Sequence, residues 1–311
     1  MPQRSTPGWL VPAVFMLLGA IWGSSFLWIK IAVDELPPAT LTAYRMGLGA
    51  IAMLAFLPFI GQRLPREPGA LGHLAVMGLV NAGLPIFLIG WGEQYVDSGT
   101  AAVLNSLVPI FSLILAGLIL RTEPVTALRV AGVLVGFAGA FVLASRELAL
   151  SGDPAVVGGA LAVTAAAASY AVGASYARHR IQGTHRYVVA AGTLLFAAVW
   201  IGALALVVDG PPVMPRQADT LLAVGWLGLL GSFIAYLCYF FLIERLGATV
   251  STMVTYVFPV VGVTLGVVFL RELLEWRLAL GTLLVVAGMA IVSLRSGRFP
   301  GLVARLGIMR R

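Results

Sequence analysis

Of the 311 residues in the chain, 60% are hydrophobic and 11% are charged, and the formal net charge is +7. Soluble domains usually carry about 25% charged residues, so this composition excludes an ordinary soluble protein. The basic residues lie between apolar runs, which argues against a nucleic-acid partner, and the single cysteine, Cys238, excludes an intramolecular disulfide and a cysteine-based metal site.

Long apolar runs, separated by charged residues or by Pro- and Gly-rich breaks, predict an all-α membrane protein with ten transmembrane helices. A helix needs roughly 20 apolar residues to cross the hydrocarbon core. The first run is too long for the apolar part of a signal peptide, so we expect it to remain as the first helix. The predicted spans are 9–33, 39–60, 70–92, 98–120, 126–144, 155–177, 187–208, 219–243, 248–270 and 275–294.

The distribution of basic residues predicts the orientation of these spans. With the N-terminus in the cytoplasm, 14 Lys and Arg residues fall on the cytoplasmic side and five on the opposite side, while Arg45 lies within the second span. We therefore expect a multi-pass protein of the inner membrane with both termini cytoplasmic. The basic tail, residues 296–311, is expected to lie against anionic membrane lipid.

The two halves of the chain match each other in order, which predicts two repeats, 1–147 and 148–295. One copy covers five spans, an odd number, so the second copy is expected to be inverted in the membrane. Inverted repeats place the substrate site of many secondary transporters near the membrane midplane. The matching segments are Gly99-Thr100-Ala101 with Gly247-Ala248-Thr249, Val108-Pro109-Ile110 with Phe258-Pro259-Val260, Leu120-Arg121-Thr122-Glu123 with Leu270-Arg271-Glu272, and Gly132 and Gly139 with Gly281 and Gly288.

Several motifs carry a family resemblance. They are Trp22-Gly23-Ser24-Ser25 in the first span, Pro37-Pro38 followed by Arg45, Tyr236-Leu237, Tyr256-Val257-Phe258-Pro259 and Leu270-Arg271-Glu272. With the repeat, this pattern resembles the EamA family of the drug/metabolite transporter (DMT) superfamily over nearly the whole chain, and within it the YddG-type amino-acid exporters. The resemblance implies a ten-helix basket with a small-molecule cavity between the halves. It places spans 1, 3, 4, 6, 8 and 9 around the cavity and spans 5 and 10 at the back, as a candidate homodimer surface.

Few polar residues lie within the predicted spans, and each has to be paired or to face a cavity. Asn81 in span 3 and Asn105 in span 4 are candidates for substrate contact. Asn105 lies four residues before Pro109, whose missing N–H frees the carbonyl of Asn105. That carbonyl and the side-chain amide can together hold an ammonium group. The alternative for both residues is a hydrogen bond between helices, worth about 0.6–2 kcal/mol.

Aromatic residues form the second group of candidates. An aromatic, mostly neutral cavity suits apolar or zwitterionic amino acids, through stacking and cation–π contact with the amine. The alternative is an aromatic belt at the membrane interface. Ser25 is a candidate donor to a substrate carboxylate, with a small residue at a helix contact as the alternative. The aromatic candidates are Trp22, Trp91, Tyr170, Tyr236, Tyr239 and Tyr256, of which Trp22 matches Tyr170 and Trp91 matches Tyr239 in the repeat.

Charged residues near span ends suggest gating contacts. Arg45 lies about two turns inside span 2, and we expect its side chain to extend to the membrane boundary rather than to bind a carboxylate. Glu93 is expected to be solvated or to form a gate, pairing with Lys30 or Arg45 in one state. Glu123 and Glu272 are expected to cap helix ends or to pair with nearby arginines.

These features favour a secondary transporter of a small-molecule substrate, with neutral or aromatic amino acids ahead of other metabolites or drug-like compounds. No catalytic residue, metal or cofactor is expected, and no Walker-type loop is present. An intramembrane enzyme would need reactive groups together within the spans, whereas the three histidines fall at span ends. A channel stays the alternative of a different class. No Asp or Glu falls in the middle of a span, which predicts downhill or weakly proton-coupled transport.

Overall fold

The computed structural model describes residues 9–116, 126–246 and 251–294. Glu123, the segment 247–249 and the tail 296–311, which the sequence interpretation used, lie outside the described residues. The described residues form antiparallel helices joined by short loops. In chain order the helices are α1 (Leu10–Ala32), α2 (Pro38–Ile60), α3 (Pro68–Gly92), α4 (Ser98–Ile114), α5 (Ala127–Ser151), α6 (Ala155–Arg180), α7 (Arg186–Val208), α8 (Ala218–Leu246), α9 (Met253–Phe269) and α10 (Trp276–Leu294).

The described helices fall into two classes by length and hydropathy. Seven of them, α1, α2, α3, α5, α6, α7 and α8, are long and apolar enough to cross a membrane, and α4, α9 and α10 are shorter apolar helices. Large apolar side chains cover the surface of the bundle, such as Phe59, Phe141 and Val207 at 88%, 74% and 84% exposure. An apolar surface of this kind is stable in lipid and not in water, so the fold is that of a multi-pass membrane protein.

Contacts between helix ends define two ends of the bundle. At one end, which we call the Lys30 end, Lys30 of α1 contacts the loop between α3 and α4, and Thr40 near the start of α2 contacts Asp209 after α7. At the other, the His73 end, His73 near the start of α3 contacts Tyr176 near the end of α6.

Helix pairing repeats between the two halves of the chain. Helix α1 packs against α9 and α6 against α4, while α2 packs against α7 and α5 against α10. The glycines that match in the sequence lie in the α5–α10 contact. A Cβ on Gly139 would lie 2.8 Å from the carbonyl oxygen of Gly281, and one on Gly288 would lie 2.6 Å from that of Gly132. Glycine at these positions therefore lets the two backbones touch.

Helix α5 is longer than the predicted span 126–144. Its start is fixed by Thr126, whose side chain accepts a hydrogen bond from the backbone N–H of Arg129. It continues through Arg146 and Glu147 to Ser151 and ends at Gly152, whose φ of 67° suits glycine. The helix runs past these two charged residues because they are buried against each other.

The middle of the bundle contains four irregular segments, two in each half. Helix α3 contains a π-helical turn at Leu79–Gly83, and α8 contains a π-helical segment at Trp226–Ile234. Helix α4 is interrupted at residues 106–107, before Pro109, and the chain enters α9 through a 3₁₀ turn, Thr252–Tyr256. Departures of this kind inside helices are frequent at functional sites.

Candidate functional site

Arg45 lies inside the protein, which corrects the expectation that its side chain extends to the membrane boundary. It is 6% exposed, and its Nε donates to Ser232 Oγ of α8 at 3.4 Å. Ser232 in turn donates to the carbonyl of Leu227 at 3.1 Å. None of the described carboxylates lies within salt-bridge distance of Arg45. The site therefore contains a buried cation without an acidic partner.

The π-helical segment of α8 places Gly231 and its main-chain carbonyl beside this cation. Trp22 Nε1 of α1 donates to the carbonyl of Gly231 at 3.0 Å. Gly231 has no side chain, and a Cβ placed there would lie 3.4 Å from Ser25 Oγ and 3.5 Å from Arg45 Nη2. Because Gly231 lacks a side chain, α8 is separated from Ser25 of α1 and from the guanidinium of Arg45 on α2 by about the width of one methyl group.

Asn81 lies in the π-helical turn of α3 and connects three helices. Its side chain packs against Gly173 of α6, where a Cβ would lie 2.6 Å from Asn81 Oδ1. It also lies close to Tyr236 of α8. Tyr170 of α6 and Tyr236 both lie within electrostatic reach of Arg45. The fold therefore places three predicted site residues, Asn81, Tyr170 and Tyr236, near Arg45. The sequence analysis had expected the side chain of Arg45 at the membrane boundary.

An aromatic cluster adjoins this polar group. The ring of Trp22 lies 5.4 Å from that of Tyr239 and 6.3 Å from that of Phe258, edge to face. Phe26 lies 6.2 Å from Phe258 on the other side. The sequence interpretation singled out Trp22 and Tyr239 and missed the two phenylalanines, because apolar residues in a span carry no signal that separates a cavity wall from the core.

Asn105 carries a buried amide oxygen that has no hydrogen-bond partner among the described residues. It is the last residue before the interruption of α4 and is 5% exposed. The next residue, Ser106, donates to the carbonyl of Thr255 at 3.3 Å, and Tyr256 follows in the 3₁₀ turn before α9. The irregular segments of the two halves therefore meet at an unpaired amide oxygen.

Trp91 and Ser25 are connected to the site less directly than predicted. Trp91 packs on Tyr95, with ring centroids 5.0 Å apart, and its ring lies 3.6 Å from the Cβ position of Gly158 on α6, close to the Lys30 end. Its ring neighbours differ from those of Tyr239, its match in the repeat. Ser25 donates to the carbonyl of Ile21 in its own helix at 3.1 Å. This hydrogen bond fits the alternative in which Ser25 is a small residue at a helix contact.

Lys30 contacts the main chain of Glu93 and not its carboxylate. The Nζ of Lys30 donates to the main-chain carbonyls of Glu93 and Val96 at 2.5 and 2.9 Å. A cation at the C-terminus of a helix, here α3, satisfies carbonyls and the helix dipole. The side chain of Glu93 is 0% exposed, and among the described residues neither carboxylate oxygen has a hydrogen-bond partner. Neither predicted pair, Glu93 with Lys30 or with Arg45, is present in this conformation.

Two groups of contacts hold the halves together at the Lys30 end. Glu272, which follows α9, accepts hydrogen bonds from the backbone N–H and hydroxyl of Ser98 at 2.7 and 2.6 Å and from the N–H of Gly99 at 3.0 Å. Its carboxylate thus caps the N-terminus of α4. The interpretation of Glu272 as a cap is confirmed, with the difference that it caps a helix of the opposite half.

Arg146 forms the second group. It is fully buried, and its Nη1 contacts Asp97 at 2.9 Å as well as Glu147, which also accepts from Thr100. Its Nη2 donates to the carbonyl of Leu273 at 2.7 Å. We call Asp97, Thr100, Arg146, Glu147 and Glu272 the Lys30-end network. The sequence interpretation did not connect these residues, because they come from three separate segments of the chain.

Contacts between described residues at the His73 end include two side-chain pairs. His73 Nδ1 and the hydroxyl of Tyr176 lie 2.7 Å apart, and Arg186 pairs with Glu244 at 3.2 Å with both side chains partly exposed. A polar cavity of about 320 Å³ lies between the α2–α3 and α6–α7 loops, beside His73 and Arg180. Among the described residues, no cluster of three or more His, Cys, Asp or Glu side chains is placed to hold a metal ion.

Comparison with known proteins identifies relatives over nearly the full length. The family model of the EamA-like transporter family matches residues 10–145 and 157–294. The uncharacterized inner membrane transporter YedA of Escherichia coli strain K12 is 33% identical over 296 residues, which cover 94% of this chain and 92% of YedA. A probable terminal-alkyne amino-acid exporter of Streptantibioticus cattleyicolor is 28% identical over 276 residues, covering 88% and 90%. A solved crystal structure, 24% identical, matches with a TM-score of 0.65 over 93% of this chain and 98% of the other, a likeness of fold.

Proposed function

We propose a substrate class and a transport cycle from one premise: this chain belongs to the EamA-like transporter family and is a membrane transporter. The proposed substrates are small metabolites, with neutral and aromatic amino acids first, carried across the inner membrane by alternating access. The proposed frame is ten spans in two inverted repeats, 1–147 and 148–295. The repeated helix pairing and the two separate family matches support it.

The observation that carries the substrate class is Arg45, a buried guanidinium without an acidic partner among the described residues. A buried charge is costly unless it is paired. The planar guanidinium binds carboxylates through two parallel hydrogen bonds. The α-carboxylate of an amino acid is therefore the proposed ligand of Arg45, beside Gly231 and the hydroxyl of Ser232.

The neighbouring groups suit the rest of an amino acid. Trp22, Tyr239 and Phe258 offer aromatic faces and edges to an apolar or aromatic side chain. The unpaired Oδ1 of Asn105 is one proposed acceptor for the ammonium group, with Asn81 as a second polar contact. The relative named as an amino-acid exporter supports this class of substrate.

The two ends of the bundle suggest the conformation. With both termini in the cytoplasm, as the charge distribution predicts, the Lys30 end faces outward and the His73 end faces the cytoplasm. The buried Lys30-end network then closes the outer side, and the cavity near His73 lies on the cytoplasmic side. In the proposed cycle the two ends open in turn around the site near Arg45.

Counterflow of labelled amino acids in proteoliposomes tests this proposal. Arg45→Gln removes a charge-assisted contact of about 1.5–3 kcal/mol, which corresponds to a roughly 10- to 100-fold weaker apparent affinity. Arg216→Gln is the matched control, because Arg216 is exposed on the α7–α8 loop. Trp22→Ala and Tyr239→Ala are expected to weaken transport of aromatic amino acids more than of small ones.

Ligand chemistry gives a second, independent readout in the wild-type protein. Amino-acid amides, which lack the carboxylate, should fail to compete with the parent amino acid. Equal competition by the amides, or unchanged counterflow in Arg45→Gln, would place the carboxylate elsewhere. No amino-acid flux from folded protein would point to another metabolite class, and flux without saturation or counterflow would indicate a channel.

A further inference from the structure

Glu93 is the one acidic side chain among the described residues that is buried without any hydrogen bond to either carboxylate oxygen. It directly follows the last turn of α3, so its sequence position suggests a span boundary. The fold covers it completely. Helix α6 lies so close that a Cβ on the preceding residue, Gly92, would lie 2.7 Å from the carbonyl oxygen of Gly159.

The charged groups that face Glu93 are all engaged with other partners. Lys30 of α1 is held by the main-chain carbonyls of Glu93 and Val96. Arg45 of α2, within electrostatic reach, turns its Nε to Ser232. Glu272, which follows α9 and brings a second negative charge to the neighbourhood, is held by Ser98 and Gly99 at the start of α4. Within the described ranges, no cation is thus bonded to the carboxyl of Glu93.

An ionised carboxylate in this position would have lost its water without gaining a hydrogen bond or an ion pair. Buried carboxyl groups in that situation keep their proton, because neutralisation removes the cost of burying the charge. Glu93 therefore carries a proton while the Lys30 end is closed. Opening that end withdraws Lys30 from the two carbonyls and admits water. The O–H bond of Glu93 can then break, with the proton passing to water and the electron pair staying on the carboxylate.

We propose that Glu93 is a proton-binding site and that the transporter exchanges protons for its substrate. The inference rests on the proposed function and deepens it. The Lys30 end closes over Glu93 only when the carboxyl carries a proton or faces the ammonium group of a substrate whose carboxylate is on Arg45. Proton and substrate thus occupy the site in alternation, and a proton gradient drives the substrate in the opposite direction. This proposal differs from the sequence-based expectation of downhill or weakly proton-coupled transport.

Infrared difference spectroscopy of the purified transporter tests the proton directly, without a substrate. The carbonyl stretching band of a protonated carboxylic acid at neutral pH is expected in the wild type and in Asp34→Asn, a control that removes an exposed carboxylate from the same end. The band should lose one component in Glu93→Gln. Identical bands in Glu93→Gln and the wild type would overturn the proposal.

Proteoliposomes test the coupling. In the wild type, labelled phenylalanine should accumulate against its gradient when a pH step is imposed, and proton flux should follow phenylalanine flux. Glu93→Gln should lose accumulation driven by the pH step, because its neutral side chain can neither release a proton nor face the ammonium group as an anion. Wild-type counterflow without pH-driven accumulation, or accumulation retained in Glu93→Gln, overturns the coupling and leaves the proposed function intact. Absence of wild-type counterflow refutes phenylalanine as a substrate instead, and the infrared band still decides whether Glu93 holds a proton.

Discussion

Replacing Arg146 with methionine removes the buried cation that joins α4, α5 and the loop after α9. The guanidinium contacts Asp97 and Glu147, and it donates to the carbonyl of Leu273. Removing one member of a buried ion pair costs about 3–5 kcal/mol, because the remaining charge stays buried. The lower value applies here, since the side chain of Asp97 is 29% exposed. About 3 kcal/mol corresponds to a roughly 100-fold larger population of the open Lys30 end.

Hydrogen–deuterium exchange of residues 93–100, followed by mass spectrometry, measures that population. Exchange in Arg146→Met should be roughly 100-fold faster than in the wild type. Arg271→Met, which removes an exposed arginine from the loop after α9, is the matched control. The double variant Arg146→Met/Glu147→Leu should recover part of the loss, because apolar groups then replace both members of a buried pair. Equal exchange in Arg146→Met and Arg271→Met would refute the role of Arg146 at this end.

Two further predictions concern stability. Gly288→Ala should lower stability by about 1–3 kcal/mol, because its Cβ would lie 2.6 Å from the carbonyl oxygen of Gly132, whereas the control Gly202→Ala meets no atom within 4 Å; equal melting temperatures of the two variants would contradict this. The hydrogen bond from Thr220, with smaller backbone contributions, holds the pKa of the Glu35 carboxyl below its ordinary value. Its contribution to stability is therefore complete above the ordinary pKa and lost as the pH falls through the lowered one. The difference in melting temperature between the wild type and Glu35→Gln should shrink in acid, and a difference independent of pH would show that the carboxylate charge is not its origin.

Helix positions were the part of the fold most accessible from sequence, because in a membrane each helix needs its own continuous apolar run. The start of α6 at Ala155 agrees with the predicted 155–177 span. The end of α5 does not agree, since the prediction stopped before two charged residues that the fold buries together. Local hydropathy cannot show that two charges will neutralise each other.

The site residues were harder to place, because long side chains and loop contacts decide their surroundings. Arg45 and Glu93 both lie near a predicted span boundary, where access to water is the reasonable expectation. Arg45 instead turns to Ser232, which is 187 residues away in the sequence. Glu93 is covered by Lys30 and by α6, which approaches through Gly159. Neither contact produces a pattern in the sequence around Arg45 or Glu93 from which it could have been predicted.

The π-helical segments of α3 and α8 were also absent from the prediction. Their residues include Gly, Leu and Val, as do those of the regular helices around them. Asn81 was predicted as a polar residue that has to be paired or to face a cavity, and only the fold shows that it packs against Gly173 of α6 close to Tyr236 of α8. The polar side chain of Asn81 thus indicated that a contact was needed, and tertiary packing determines which residues provide it.

The difference between the two ends of the bundle has a consequence for binding measurements. A carrier that rests with its Lys30 end closed offers its site to solutes on that side only during brief openings. The apparent dissociation constant on that side is the intrinsic constant divided by the open fraction. In the proposed cycle, where both compartments share one site, the same substrate should therefore show a weaker apparent affinity from the Lys30 side than from the His73 side. Reconstituted vesicles with a single orientation would show this sidedness, and weakening the Lys30-end network would reduce it.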